Sequence, residues 1–272
     1  MSDYYDVIIT NNTITTQKKI KETDEIREIE RGMLLESFTT HRGTHVSMIQ
    51  CPTWGITCFM DDVIQSCEMD EEFYHHMLVY PAMHATKSNA KRIMIIGGGE
   101  GATAREVLKW QSVEHIDMYD WDKDVVQIFQ TKYPQWAKGA WTNSKLHLHF
   151  DNIFDIISTA PVEPYDVIII DLFDPEDENR LQWAYLFEHI SLWAAPHATI
   201  VMYAGMVSKD TDIQPYHMLC RMISQQLKHK DISPYMVPIT SFMGDAVFLM
   251  LHDTLDPSKK GTQYKTIYAM GD

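Results

Sequence analysis

The sequence predicts a doubly wound, mostly parallel α/β sheet behind a small N-terminal antiparallel β domain, and three observations predict it. From about residue 93 onward, apolar runs of strand length alternate with helical segments, the pattern of βαβ units with right-handed crossovers. The first run, Ile93 to Ile96, enters Gly97-Gly98-Gly99-Glu100-Gly101 and then a helix-forming segment. Before residue 69 there are only short alternating runs cut by turn signals.

Residues 1–30 are polar and mix charges without a clear apolar face, so an irregular or frayed segment is expected there. Met33 to Thr39, His45 to Gln50, Ile56 to Met60 and Val63 to Ser66 then alternate as strands, separated by His41-Arg42-Gly43, Pro52-Thr53-Trp54-Gly55 and Asp61-Asp62. The predicted boundary divides residues 1–68, the N-terminal segment and small β domain, from residues 69–272, the larger domain. Glu68 to Ala85 reads as a helix with an acidic first turn, apolar positions at Phe73, Met77, Leu78 and Met83, and a bend or end at Pro81. Strands follow at 93–97, 115–120, 146–150, 166–172 and 199–204, with helices at 102–110, 122–132, 152–158 and 181–194. A helix over 212–229 and a hairpin pairing Tyr235 to Thr240 with Ala246 to His252 complete the sheet.

Composition narrows the function. A net charge of −15 over 272 residues argues against nucleic acid as a partner and favours a cationic small molecule. No apolar run is long enough to span a membrane, and MSDYYDVIITNN lacks the basic flank and cleavage site of a secretory signal, so the cytoplasm is the expected location. Cys51, Cys58, Cys67 and Cys220 have no C-x-x-C spacing and read as core fillers. None of the histidines falls in an H-E-x-x-H pattern, the carboxylates show no spacing for a closed metal shell, and His147, His149 and His76 read as surface or packing residues. A small N-terminal sheet is marginal alone, which favours packing against the larger domain or a second subunit, hence a homodimer.

Ligands of open parallel sheets bind beyond the carboxyl ends of the strands. Gly99-Glu100-Gly101-Ala102-Thr103-Ala104 fits G-x-G-x-x-A, and Asp120 stands at the spacing of an acid that takes both hydroxyls of an adenosine ribose. That fingerprint leaves dinucleotides and S-adenosyl sulfonium compounds both open. Glu100 discriminates: an acid inside the turn repels a pyrophosphate and also the carboxylate of S-adenosylmethionine, but suits a tail ending in a lone ammonium. Asp120 with Asp122, Asp151 with Asn152, and Asp171 with Asp174 put acid after successive strands. Each is also a natural helix N-cap or turn former, and for Asp151-Asn152 capping and adenine recognition are equally good readings. Asp171 ends the apolar run YDVIIID, so burial should raise its pKa, as suits a group that takes a proton from an amine.

Taken together, MDDVIQSCEMDEEFYHHMLVYPAM, RIMIIGGGEGATAREVLKW, VEHIDMYDWDKDVV, KLHLHFDN and YDVIIIDLFDP resemble the polyamine aminopropyltransferases, the spermidine and spermine synthase family, from about residue 33 to about residue 253. The Glu of GGGEG and the acidic run after DLFDP are more similar to thermospermine-type and long-chain polyamine synthases than to the GGGDGG of typical spermidine synthases. The resemblance implies a Rossmann-like, class I methyltransferase-like sheet and a decarboxylated S-adenosylmethionine co-substrate, with no permanently bound cofactor and no metal. An aminopropyl group would pass to a polyamine such as putrescine or spermidine, with release of 5′-methylthioadenosine.

Carried over by position, the resemblance gives Asp120 the ribose, Asp151 and Asn152 the adenine, and Gly97, Gly99 and Gly101 the turn around the donor. Glu100 and Asp171 would hold the donor's ammonium, and His75 would line its pocket. Asp171 with Tyr74 would deprotonate and orient the attacking amine, and Asp174 would bind the acceptor's far ammonium. Gln65 falls in the leader motif with a structural role. Four positions depart from the family pattern: His45 stands where it has a donor-binding Gln, Tyr203 where it has an acceptor-side Gln, His76 where it has Glu, and Met60-Asp61-Asp62 replaces its L-D-G turn. The C-terminal acceptor-lining segment is shortened to GTQYKTIYAMGD. The competing readings are an S-adenosylmethionine methyltransferase on the same sheet and a polyamine-binding relative without turnover.

Overall fold

Strand structure reaches further toward the N-terminus than the polarity of residues 1–30 implies. In the computed structural model, which describes residues 5–10, 13–19, 26–207, 215–253 and 267–268 and side chains over 32–207 and 215–253, the first six strands form one antiparallel sheet in chain order. They are β1 (Tyr5–Thr10), β2 (Thr13–Lys19), β3 (Ile26–Thr39), β4 (His45–Cys51), β5 (Gly55–Met60) and β6 (Val63–Cys67). Residues 1–30 were expected to be irregular, and this is a correction. The physical reason is local: Val7, Ile8, Ile9, Ile14 and the Thr13, Thr15 and Thr16 positions favour extended backbone whatever the polarity of their neighbours.

Two units can be described. One comprises Met1–Phe73 with Thr240–Phe242, the other Tyr74–Ile239 with Met243–Asp272. The smaller has its own core of Ile49, Cys51, Trp54, Phe59, Ile64 and Cys67, with Leu34 and Phe242 packed against it. Asp70 anchors this unit's second chain segment, accepting from the Ser241 backbone N–H at 2.8 Å and the Ser241 hydroxyl at 2.9 Å. Cys51, Cys58, Cys67 and Cys220 are all buried and form no disulfide among the described residues, as core fillers should. Burial, with the Asp70 charge behind it, pushes the Cys67 thiol up to about 12, which leaves it unreactive.

In the larger unit the elements are α1 (Glu71–Ala85, in this unit from Tyr74), β7 (Arg92–Gly97), α2 (Ala102–Leu108), β8 (His115–Tyr119), α3 (Lys123–Thr131), β9 (Leu146–His149), α4 (Ile153–Ile156) and β10 (Tyr165–Asp171). They continue with α5 (Arg180–His189), β11 (Ala194–Met206), α6 (Pro215–Gln226), β12 (Lys230–Ile239), β13 (Gly244–Asp253) and β14 (Ile267–Tyr268). Pro81 lies inside α1 and does not end it. The helix expected over 181–194 is shorter: α5 stops at His189, a single 3₁₀ turn covers Ile190–Leu192, and β11 already begins at Ala194. Residues 212–214 of the expected last helix, and the C-terminal GTQYKTIYAMGD apart from Ile267–Tyr268, lie outside the described residues.

The sheet order is β14-β12-β13-β11-β10-β7-β8-β9. From central β7 the chain runs outward through β8 to β9, then returns to the other side of β7 as β10, so direction reverses between β7 and β10. Strands β7 to β11 pair parallel in this order, β11-β10-β7-β8-β9, while β13 pairs antiparallel with both β11 and β12. Ile93 to Ile96 and Val167 to Ile170 are fully buried, the burial on both faces that their unbroken apolar runs require. Among the described residues no helix is long and apolar enough to cross a membrane.

A polar network that the sequence did not disclose lies on the β8 and β9 end of this sheet. Asp117 accepts from His149 Nε2 at 2.7 Å, His115 Nε2 at 2.6 Å and the Tyr165 hydroxyl at 2.7 Å, and an Arg92 guanidinium nitrogen lies 3.5 Å away. Burial alone would raise the Asp117 pKa, but these hydrogen bonds overcome it and hold the carboxyl well below its usual range. A depressed folded pKa adds stability above the unfolded value of about 3.9, and that stability is lost as pH falls through the folded pKa. Asp117→Asn should therefore cost about 1.5–3 kcal/mol in urea unfolding at pH 7. Its deficit relative to the parent should shrink below pH about 4. An equal deficit at pH 3 and pH 7 would refute the charge-assisted account.

Candidate active site

At the reversal between β7 and β10, strand register sets Gly97 directly beside Asp171. The first strand end therefore delivers the Gly97 to Gly101 turn and the second delivers an acid into the same crevice, the place where open α/β sheets bind ligands. Within the turn, a Cβ on Gly99 would lie 2.7 Å from Asp120 Oδ2, so a glycine is needed for the Asp120 carboxylate to approach the backbone. Gly101, left-handed at φ 78°, is the N-cap residue from which α2 starts. Asp120 at the end of β8 accepts the backbone N–H groups of Asp122, at 2.9 Å, and Gly99. Burial is the main reason its pKa is pushed up to about 6, with the Asp122 and Asp171 charges adding and the two N–H groups opposing.

Helix α1 brings the next two groups. The Tyr74 hydroxyl donates to Asp171 Oδ1 at 2.8 Å, and His75 Nε2 stands 2.6 Å from Glu100 Oε1 and 4.0 Å from Asp171 Oδ2. Burial raises the Asp171 carboxyl, as the apolar strand before it implied; the His75 and Tyr74 contacts oppose that rise and the Glu100 charge adds to it. Burial and the Asp171 charge push the Tyr74 phenol well above its ordinary value, so it stays a hydrogen-bond donor. A second tyrosine and aspartate pair stands alongside. The Tyr203 hydroxyl donates to Asp174 Oδ1 at 2.7 Å, and the Tyr203 and Tyr74 rings are 6.0 Å apart. Burial raises Asp174 too, against the Tyr203 hydrogen bond.

The β10 to α5 loop holds Asp174 in place. Asn179 Nδ2 donates to the Asp174 carbonyl at 2.8 Å while its Oδ1 accepts the Glu176 N–H at 3.0 Å. Behind the acids lies an aromatic floor absent from the sequence reading. Tyr203, Phe248 and Tyr235 are cross-strand partners on β11, β13 and β12, and the Tyr74 ring packs 5.3 Å from Phe248. Each aromatic was visible singly, but only the pairing register puts them in one row.

The structure thus brings together Tyr74, His75, Glu100, Asp171, Asp174 and Tyr203, with Asp120 close enough to be raised by the Asp122 and Asp171 charges. Among the described residues no lysine or arginine pairs with Glu100, Asp171 or Asp174; the one ion-pair partner is His75. Two further strand-end groups cap helices. Asp122 caps α3, accepting from Asp124 and Val125, and Asn152 caps α4, accepting from the Phe154 N–H at 3.1 Å. Asp151 is exposed beside it at the end of β9. His76 stands apart from the acids, stacked on Tyr80 at 4.4 Å with Nδ1 3.6 Å from Glu106. Gln65 and His45 belong to the smaller unit, where Gln65 is exposed and the His45 ring lies 3.1 Å from the Ser37 hydroxyl.

Comparison with known proteins places this arrangement. A profile of the spermine/spermidine synthase domain matches residues 71–260. A polyamine aminopropyltransferase of Aeropyrum pernix is 30% identical over 220 residues, covering 79% of this chain and 68% of that protein. Polyamine aminopropyltransferase 1 of Hyperthermus butylicus is 44% identical over 141 residues, covering 51% of this chain and 48% of its own length. Among solved structures, spermidine synthase from Thermotoga maritima aligns with a TM-score of 0.71 at 21% identity over 97% of this chain and 87% of that one. A spermidine synthase in complex with the transition state analogue AdoDATO gives 0.73, also at 21% identity, over 97% and 88%. The structural likeness carries the fold, the sequence matches carry the kinship, and the chain belongs to the spermine/spermidine synthase family, the polyamine aminopropyltransferases.

Proposed function

We propose that this protein transfers an aminopropyl group from decarboxylated S-adenosylmethionine to an amine of a linear polyamine such as putrescine or spermidine, releasing 5′-methylthioadenosine. The observation that carries the reading is the acid cluster at the β7 and β10 strand ends: Glu100, Asp171 and Asp174 converge with no lysine or arginine among the described residues to neutralise them. Such a cage favours cations.

In this reading Asp120 takes the ribose hydroxyls, Asp151 the adenine edge, and Glu100 with Asp171 the donor's ammonium. The acceptor lies with its far ammonium on Asp174 and Tyr203 and its methylenes against Tyr74 and Phe248. Asp171 removes a proton from the attacking nitrogen, whose lone pair forms the new bond to the propyl carbon as the carbon–sulfur bond breaks. That bond's electrons stay on sulfur, which leaves as a neutral thioether. Because a polyamine nitrogen is almost wholly protonated at neutral pH, a base with a raised pKa at the point of attack supplies the nucleophile. The remaining acceleration is alignment of nitrogen, carbon and sulfur.

Incubating the protein with decarboxylated S-adenosylmethionine and putrescine, spermidine, cadaverine or agmatine tests this directly. Methylthioadenosine should appear above a denatured control with at least one acceptor; none with any acceptor refutes the proposal. Calorimetry with both donors separates it from a methyltransferase, since the carboxylate of S-adenosylmethionine would face Glu100.

A further inference from the structure

The seat assigned above to the donor's ammonium already holds a basic side chain. His75 Nε2 touches Glu100 Oε1 at 2.6 Å and faces Asp171 Oδ2 at 4.0 Å, with side-chain exposures of 2% for His75, 13% for Glu100 and 16% for Asp171. Two carboxylates flanking the imidazole favour its imidazolium, against the burial that by itself favours the neutral ring. An arriving ammonium would meet that positive charge at close range in a medium that screens poorly.

We propose that His75 is a proton placeholder, its imidazolium occupying the cation seat of the empty enzyme and surrendering its proton when the donor's ammonium enters. This rests on the donor assignment above. The Nε2–H bond breaks with its electron pair remaining on nitrogen, the proton passes to solvent, and the ammonium takes over the ion pairs to Glu100 and Asp171. The seat keeps one positive charge throughout. Neutral His75 then offers its Nε2 lone pair to an ammonium N–H, so the imidazole changes from competitor to ligand without moving.

Other groups face this seat. Tyr74 on α1, with its ring 5.0 Å from His75, and Tyr203 on β11 both stay protonated because burial raises their phenols. Asp174 is tied to Tyr203. Asp120, which titrates near 6, is coupled to Asp171, but it serves the ribose and so responds to any ligand that carries one. Methylthioadenosine has the ribose and lacks the ammonium. The difference between donor and methylthioadenosine therefore isolates the cation seat from Asp120.

The experiment is titration calorimetry at pH 7 in phosphate and in Tris, whose ionisation heats differ, with each ligand. Binding of decarboxylated S-adenosylmethionine at pH 7 should release about one proton more than binding of methylthioadenosine, and from pH 7 downward its affinity should weaken up to tenfold per unit relative to methylthioadenosine. In His75→Gln the extra proton should vanish. Equal proton counts for the two ligands would overturn the proposal while leaving the donor assignment standing. An extra proton that persists in His75→Gln would trace the release to a carboxylic acid and overturn it equally. Absence of donor binding in both buffers would remove the donor assignment and the proposal together. Should the variant not fold, the His75 ring signals of the parent protein decide by NMR: they should move to the neutral form with donor and not with methylthioadenosine, and the reverse pattern or no change overturns the idea.

Discussion

Asp171→Asn should lower kcat by about 10²- to 10⁴-fold, the range that loss of a positioned general base produces, while leaving thermal stability equal to or above that of the parent. The two halves of this result follow from one fact. Burial raises the Asp171 carboxyl, which means the fold tolerates its charge poorly. A carboxylate whose folded pKa lies above the unfolded value of about 3.9 binds its proton more tightly in the native state, so its contribution to stability declines as pH rises from about 3.9 through the folded pKa. At neutral pH the ionised acid is thus a standing cost, and asparagine removes it while its Oδ1 still accepts from the Tyr74 hydroxyl, now 2.8 Å from Asp171 Oδ1. Activity carries the opposite sign, because only the ionised form accepts a proton from the amine, and kcat should fall on the acid side at a pH above the ordinary aspartate value. Rate assays with methylthioadenosine readout and thermal melts of the same preparations check both. A variant that loses stability along with activity would show that Asp171 is chiefly a structural acceptor for Tyr74.

The sequence disclosed most of the larger unit because parallel strands buried on both faces leave unbroken apolar runs, and β7 and β10 fall within a residue or so of their expected limits. Polarity misled at the N-terminus, where β-branched residues among charges make strands that no apolar alternation announces. Of the site, the acids were legible because strand ends are fixed by topology. That Glu100, Asp171 and Asp174 would lack lysine and arginine partners among the described residues was not legible, since a partner in space leaves no mark in spacing. His75 shows the limit well: its position implied a pocket wall, but its 2.6 Å contact with Glu100 depends on the turn of α1 meeting the loop after β7. Asp117 likewise looked like one more alternating residue of β8, and its histidine and tyrosine partners come from β8, β9 and β10.

Gly97→Ala should be the most damaging single-methyl change in the larger unit, because fold and site meet at that atom. Gly97 has φ +86°, and a Cβ placed on it would lie 2.0 Å from the Asp171 carbonyl oxygen, a backbone atom with no side chain to swing aside. The left-handed backbone alone costs a non-glycine residue roughly 1–2 kcal/mol. Relieving the clash requires separating two adjacent strands, so the total should reach about 3 kcal/mol or more. Gly139→Ala supplies the control: its φ is +91° and nothing lies within 4 Å of the added Cβ, so it pays only the backbone share. Urea unfolding of both variants isolates the clash as their difference. Since Gly97 and Asp171 are register partners, the separation also displaces Asp171 from Tyr74 and His75, and kcat should fall in Gly97→Ala under conditions where it remains folded but not in Gly139→Ala. If the two alanine variants lose the same stability and keep the same turnover, β7 and β10 are not packed this tightly at the crevice, and the geometry that sets the glycine turn against Asp171 is wrong.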